Sequence, residues 1–224
     1  MSHSQSRAPK TSDATVFVVD DDTSLREGIR SLLCSVGHEV ETFKSSEEFL
    51  EQRDPKRMGC LVLDVRLPGT SGLELQKRLV AMNDHIPIVF ISGNGDIPMC
   101  VQTMKAGAAD FLSKPFREQD ILESIQAALR HEEARRNGEL AVSACLASYR
   151  SLTQREREIM KLVVAGKINK QIAAEVGLSE VTVKIHRAQM MRKMGTTSLA
   201  ELVRIADKLE TVLTRHPAYS DFAG

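Results

Sequence analysis

Five times in its first part the chain repeats one pattern, a short strand-like run, apolar almost throughout at 16–19, 60–64 and 88–92, then a polar break and a stretch with helical spacing. The runs fall at residues 16–19, 39–43, 60–64, 88–92 and 109–112. The helical stretches fall at 24–36, 46–51, 72–82 and 98–106, with a fifth starting at Glu118. Short apolar runs bounded by turn residues read as buried parallel strands. Alternation of strand and helix predicts an α/β fold, a doubly wound five-stranded parallel sheet in the flavodoxin-like order. Gly37 stops the first helix, and Pro98 and Gly107 bracket the fourth.

The chemistry sits where these runs end. The first is followed by Asp20-Asp21-Asp22, and the third ends in Asp64 ahead of Leu67-Pro68-Gly69. The fourth ends in Ser92-Gly93, and Phe111-Leu112 leads into Lys114-Pro115. In an open α/β sheet the ligand site lies beyond the carboxyl ends of the strands. Carboxylates, a hydroxyl and a lysine at one rim suit a divalent metal and a phosphoryl group, with Asp64 as the acceptor. Asp22 reads equally well as a solvated acid.

A zero net charge conceals a division. Residues 13–130 carry 13 basic and 19 acidic side chains, whereas residues 151–208 carry 11 and 6. The acidic half suits a metal-binding rim and the basic half a phosphate backbone. No apolar run approaches the roughly 18 residues of a membrane span. Residues 1–13 are polar, lack an apolar signal core and read as a disordered tail. Cys34, Cys60, Cys100 and Cys145 show neither metal nor redox spacing, and free thiols fit a reducing cytoplasm.

Residues 14–130 thus form the first domain. The Ala-, Glu- and Arg-rich stretch 131–150 reads as a helical linker that continues the fifth helix. Residues 151–210 carry the punctuation of four short helices. Thr153 with Glu156 forms a capping box for the first, which ends before Gly166. Asn169 caps the second, at 170–176, which stops at Gly177. Ser179 caps the third, at 180–194, closed by Gly195. Ser198 with Glu201 forms a box for the last, at 199–209, and residues 211–224 read as a flexible tail. The tight Gly177-Leu178-Ser179 joint is a helix-turn-helix signal. On the third helix Val183, Met190 and Met194 share the core face, and Lys184, Ala188 and Arg192 the other.

These motifs carry a resemblance. Val18-Val19-Asp20-Asp21-Asp22, Asp64 with Leu67-Pro68-Gly69 and Gly72, Ser92-Gly93, Lys105-Ala106-Gly107-Ala108 and Lys114-Pro115-Phe116 resemble a two-component receiver domain. Leu152-Thr153, Arg155-Glu156, Glu158, Asn169-Lys170, Ile172-Ala173, Thr182-Val183-Lys184 and His186-Arg187 resemble the LuxR-type helix-turn-helix. Together they are similar to response regulators of the FixJ/NarL family, on the FixJ side.

The resemblance implies a Mg²⁺ (or Mn²⁺) held by Asp21, Asp64 and the backbone carbonyl of Arg66, with Asp20 bound through water. It implies Lys114 as the counter-ion of the phosphoryl group, Ser92 as a hydrogen-bond donor to it, and Phe111 as an aromatic switch. Where some relatives carry a basic residue, this chain has Ala188, which leaves base reading to Val181, Lys184 and Ile185. Thr182, His186 and Arg187 are then candidates for phosphate, although His186 also reads as a cap on the core. The implied function is a cytoplasmic bacterial transcription factor and not an enzyme in its own right. A sensor histidine kinase phosphorylates it, and it pairs as a homodimer, binds promoter DNA and acts on RNA polymerase. A small-molecule aspartate phosphatase would need a general acid two residues after the nucleophile, where Arg66 stands. A ligand-gated regulator would need an apolar pocket, which the polar rim does not offer.

Overall fold

The computed structural model describes residues 14–93 and 97–215. The tail expected at residues 1–13 lies outside them, as does all but the start of the one expected from 211. The chain divides into two compact units, Met1–Asn137 and Gly138–Gly224.

The first unit contains β1 (Thr15–Val19), α1 (Thr23–Ser35), β2 (Glu39–Phe43), α2 (Ser46–Gln52), β3 (Gly59–Asp64), α3 (Gly72–Ala81), β4 (Ile88–Ser92), α4 (Ile97–Lys105) and β5 (Asp110–Ser113). All pairings are parallel, in the order β2-β1-β3-β4-β5. This is the expected doubly wound sheet. Every residue of β1, β3 and β4 is buried, which is why these runs are apolar throughout instead of alternating.

The two-residue period of a strand sorts those side chains to two faces. Val16, Val18, Val62, Val89 and Ile91 meet Ile29 and Leu33 of α1 on one side, with Ile121 and Ile125 of the fifth helix. Phe17, Leu61, Leu63 and Phe90 meet Phe49 of α2 and Leu75 and Leu79 of α3 on the other. The four cysteines are unpaired, and burial pushes the thiol of Cys60 far up, out of reactive range.

Helix α5 runs Glu118–Arg150, and the division between the units falls within it. In the second unit follow α6 (Gln154–Val164), α7 (Asn169–Val176), α8 (Glu180–Lys193) and α9 (Leu199–Arg215). Ile159, Met160, Val163, Ile172, Val183, Met190, Met194 and Leu202 form their core. Gly177 ends α7 at φ 68°, a left-handed turn that any side chain would strain. Ser179 then caps α8 by accepting from the N–H of Thr182 at 3.1 Å.

Three expectations need correction. Asn169 does not cap α7. The N-cap is Ile168, whose N–H donates to Gln171 Oε1 at 3.1 Å, and the amide oxygen of Asn169 is engaged by Arg187. The box at Ser198 is half formed. Ser198 Oγ accepts from the Glu201 N–H, but the Glu201 carboxylate takes the Thr196 hydroxyl at 2.9 Å. Helix α9 continues past Leu209 to Arg215, because no glycine or proline interrupts it there.

Candidate functional site

Asp20 follows β1 directly and Asp64 is the last residue of β3, so parallel pairing sets the two side by side at the rim. Asp20 is fully buried and Asp64 is 6 % exposed. Each carboxylate is fixed at both oxygens. Asp20 Oδ1 accepts from the Asp22 N–H and Asp64 Oδ1 from the Arg66 N–H, both at 2.8 Å. Lys114 Nζ donates to the remaining oxygens, at 2.7 Å to Asp20 Oδ2 and 2.6 Å to Asp64 Oδ2. The lysine is placed by its own strand end, where its N–H donates to the Ser92 carbonyl at 2.7 Å. Ser92 is fully buried, and Phe111 is half-buried against the face that carries Leu63 and Phe90.

Asp21 is exposed, and its carboxylate together with those of Asp20 and Asp64 offers one oxygen each within 4.8 Å of one another. Burial pushes the Asp20 carboxyl above the ordinary range. Lys114 and the Asp22 N–H act against that rise, and the charge of Asp64 adds to it. Burial works to lower the Lys114 ammonium, but its two carboxylate partners outweigh it and hold the ammonium above a free lysine. Three carboxylates, two of them buried, against one ammonium leave negative charge and hard oxygen donors in surplus at the rim. That donor set fits a divalent cation such as Mg²⁺.

Two local features hold this rim. Asp22 is the N-cap of α1, accepting from the N–H groups of Ser24 and Leu25. Gly72, the first residue of α3, lies so close to the end of β3 that a Cβ there would stand 2.3 Å from the Asp64 carbonyl oxygen.

In the second unit α8 presents its outer face to solvent. Val181 is 70 % and Ile185 53 % exposed, and Lys184, Ala188, Gln189 and Arg192 are exposed beside them. Thr182 is half-buried and shares a 2.8 Å hydrogen bond with Ser179. Arg187 donates to Asn169 Oδ1 at 3.1 Å. His186 is half-buried, with a buried Nδ1 that has no hydrogen-bond partner.

Residues 16–126 match the model of the response regulator receiver domain, and residues 150–206 that of the bacterial regulatory proteins of the luxR family. Nodulation protein W of Bradyrhizobium diazoefficiens is 50 % identical over 196 residues, which are 88 % of this chain and 86 % of that protein. Response regulator protein TodT of Pseudomonas putida F1 is 44 % identical over 200 residues, 89 % and 88 % of the two chains. The response regulator StyR, known from a low-resolution structure, superposes with a TM-score of 0.81 at 52 % identity, over 88 % of this chain and 99 % of that one. The chain belongs to the response regulators with a luxR-type DNA-binding domain.

A response regulator of this architecture is a transcription factor, and its two domains imply a kinase on one side and promoter DNA on the other. Among its described residues no helix is long and apolar enough to cross a membrane. Asp20, Asp21, Asp64 and Lys114 come together as their strand-end positions predict, with Ser92 joined to Lys114 through the backbone. The capping of α1 by Asp22 was legible as Asp-x-Ser ahead of a helix. The guanidinium of Arg26, which donates to the Asp20 carbonyl at 2.6 Å, was not, since no local signal links a helix residue to a strand end. The six α8 residues singled out from sequence divide. Val181, Lys184 and Ile185 are open, Thr182 and Arg187 are hydrogen-bonded within the unit, and His186 is half-buried.

Proposed function

We propose that Asp64 is the phospho-acceptor of a cytoplasmic bacterial relay. Its carboxylate oxygen attacks the phosphorus of a kinase phosphohistidine, the P–N bond breaks, and the histidine leaves with a proton. The observation that carries this reading is the Lys114 ammonium, 2.6 Å from Asp64 and 2.7 Å from Asp20. This one positive charge is already aimed at the acceptor. Asp20, Asp21, Asp64 and the Arg66 carbonyl would hold Mg²⁺ or Mn²⁺. When bound, the cation offsets repulsion between Asp64 and the incoming oxygens and stabilises their charge in transfer.

Lys114 exchanges Asp64 for a phosphoryl oxygen as the acyl phosphate forms. Ser92 donates its hydroxyl to the same group, and Phe111 moves inward behind it. The receiver takes part in its own phosphorylation and acyl-phosphate hydrolysis, but turns over no separate substrate. The switch reshapes the α4–β5–α5 face, where Ile97, Val101 and Met104 are exposed, and two copies pair there. Residues 14–130 then act as the receiver, 131–150 as the linker and 151–210 as the DNA-binding domain. The paired α8 helices enter adjacent half-sites, and the bound dimer engages RNA polymerase.

Incubation with acetyl phosphate and Mg²⁺ tests the acceptor. Wild type should gain a base-labile, hydroxylamine-sensitive label and Asp64→Asn none; a label retained by the Asn variant refutes the assignment. Beryllofluoride should shift the sedimentation coefficient from monomer towards dimer, and an unshifted boundary would remove the pairing step.

A further inference from the structure

The three carboxylates of the rim are not held alike. Asp20 and Asp64 are each tied at both oxygens, to a backbone N–H and to Lys114. Asp21 is exposed, and its carboxylate makes no hydrogen bond among the described residues. Its place beside the other two is therefore set by its backbone, beginning with the peptide that joins it to Asp20.

That peptide is held by Arg26. Its Nη1 donates to the Asp20 carbonyl oxygen at 2.6 Å, and its Nη2 donates to Thr23 Oγ1 at 3.2 Å. Both contacts come from one rigid plane. Thr23 is the first residue of α1 and Asp20 follows β1 directly, so the guanidinium ties the first turn of the helix to the end of the strand. A peptide group is planar, and a carbonyl fixed in direction also fixes where Asp21 begins. The ion pairs of the rim are made by Lys114; Arg26 touches a carbonyl and a hydroxyl and leaves every carboxylate oxygen open.

A guanidinium near three acids has two opposite effects on a cation. Its charge repels the cation, so on that ground alone its loss would tighten metal binding. Its hydrogen bonds keep the third carboxylate within reach, so on that ground its loss would weaken binding. We infer that the second effect wins and that Arg26 is a positioning residue for the metal, holding Asp21 towards Asp20 and Asp64 through the Asp20 carbonyl. The inference rests on a divalent cation binding at this rim, as the proposed function has it.

The test titrates Mg²⁺ into the full chain by calorimetry and measures labelling by acetyl phosphate across Mg²⁺ concentrations. Arg26→Ala should raise the Kd for Mg²⁺ about tenfold, the lower end of what losing an outer partner of a metal ligand costs. Arg26→Lys keeps the charge and one donor but not the two-pronged plane, and its Kd should fall between the two. Labelling by either variant should suffer more at low Mg²⁺ than at saturating Mg²⁺. Arg30→Ala removes the same charge one turn further along α1, from an exposed side chain, and should not raise the Kd.

A Kd lowered by Arg26→Ala makes the arginine a repelling charge and overturns the inference. An unchanged Kd with labelling slowed equally at every Mg²⁺ concentration makes it a contact of the phosphoryl group, and overturns it too. Thermal unfolding without Mg²⁺ checks that each variant is folded. If Arg26→Ala is not, Arg26→Lys carries the test, and a wild-type Kd there overturns the inference. Wild-type binding that Asp21→Asn leaves unchanged removes the proposed metal site itself, and this inference with it.

Discussion

Gly72→Ala puts one methyl group between α3 and the strand end that carries Asp64. The added Cβ would stand 2.3 Å from the Asp64 carbonyl oxygen and 3.1 Å from both the Asp64 carbonyl carbon and Leu63 Cγ. Real Cβ atoms do not approach closer than 3.0 Å, so helix and strand end must part by about 0.7 Å, the gap between 2.3 and 3.0 Å. Neither neighbour is the flexible end of a side chain. Overpacking of this kind costs about 1–3 kcal/mol, against about 1 kcal/mol regained because alanine favours a helix more than glycine does.

The net loss of stability is therefore small, but the displacement falls on the acceptor. Asp64 is held by the Arg66 N–H at 2.8 Å and by Lys114 at 2.6 Å, and a misplacement near 1 Å costs up to about 10²-fold in rate. Labelling by acetyl phosphate with Mg²⁺ should slow about 10- to 100-fold while the unfolding temperature falls by a few degrees. Ser71→Ala is the control. It removes the cap that accepts from the Glu74 N–H at 3.3 Å, costs about 1 kcal/mol and leaves the spacing alone, so its labelling rate should stay near wild type. A Gly72→Ala protein that labels at the wild-type rate would refute the idea that this close approach positions Asp64.

The other predictions concern the metal, pH and DNA. Asp21→Asn should weaken Mg²⁺ binding in calorimetry, since one of three clustered carboxylates is lost; an unchanged isotherm places the metal elsewhere. Burial pushes the Glu156 carboxyl up, but Lys193, at 2.6 Å, and the Thr153 N–H outweigh it and hold it below the usual range. A depressed carboxyl stabilises the fold above its unfolded value, about 4.3, and that stability is lost as pH falls through the folded one. Lys193→Ala should therefore cost the second unit about 1–3 kcal/mol at pH 6, and the difference from wild type in thermal unfolding should shrink towards pH 3. A difference that stays constant with pH would contradict this. Lys184→Ala should cost about 1–3 kcal/mol at the preferred DNA sequence if the lysine reads a base. A uniform loss on all sequences, with the salt slope lowered by about one, would make it a phosphate contact instead.

Local rules govern much of this fold and are readable without coordinates. The strand–helix alternation specified a parallel sheet covered by helices, because buried parallel strands need apolar runs with helices between them. The capping residues Thr153 and Ser179 and the stop at Gly177 specified the helix-turn-helix, because each acts within three or four residues of itself. The rim chemistry was legible for the same reason, since parallel strands gather their carboxyl ends wherever they lie in the chain.

Contacts between residues far apart in the chain depend on packing and could not be read locally. Lys114 bridges Asp20 and Asp64 from 94 and 50 residues away, and Gly72 abuts the Asp64 carbonyl. Arg187 draws Asn169 away from the capping position its type favours. Thr196 does the same to the Glu201 carboxylate. Periodicity marks Val181 and Ile185 as lying away from the core, but it cannot show whether another element covers them. Coverage belongs to the packed unit, and there α6, α7 and α9 fill the inner face of α8 and leave Val181 and Ile185 exposed on its outer one.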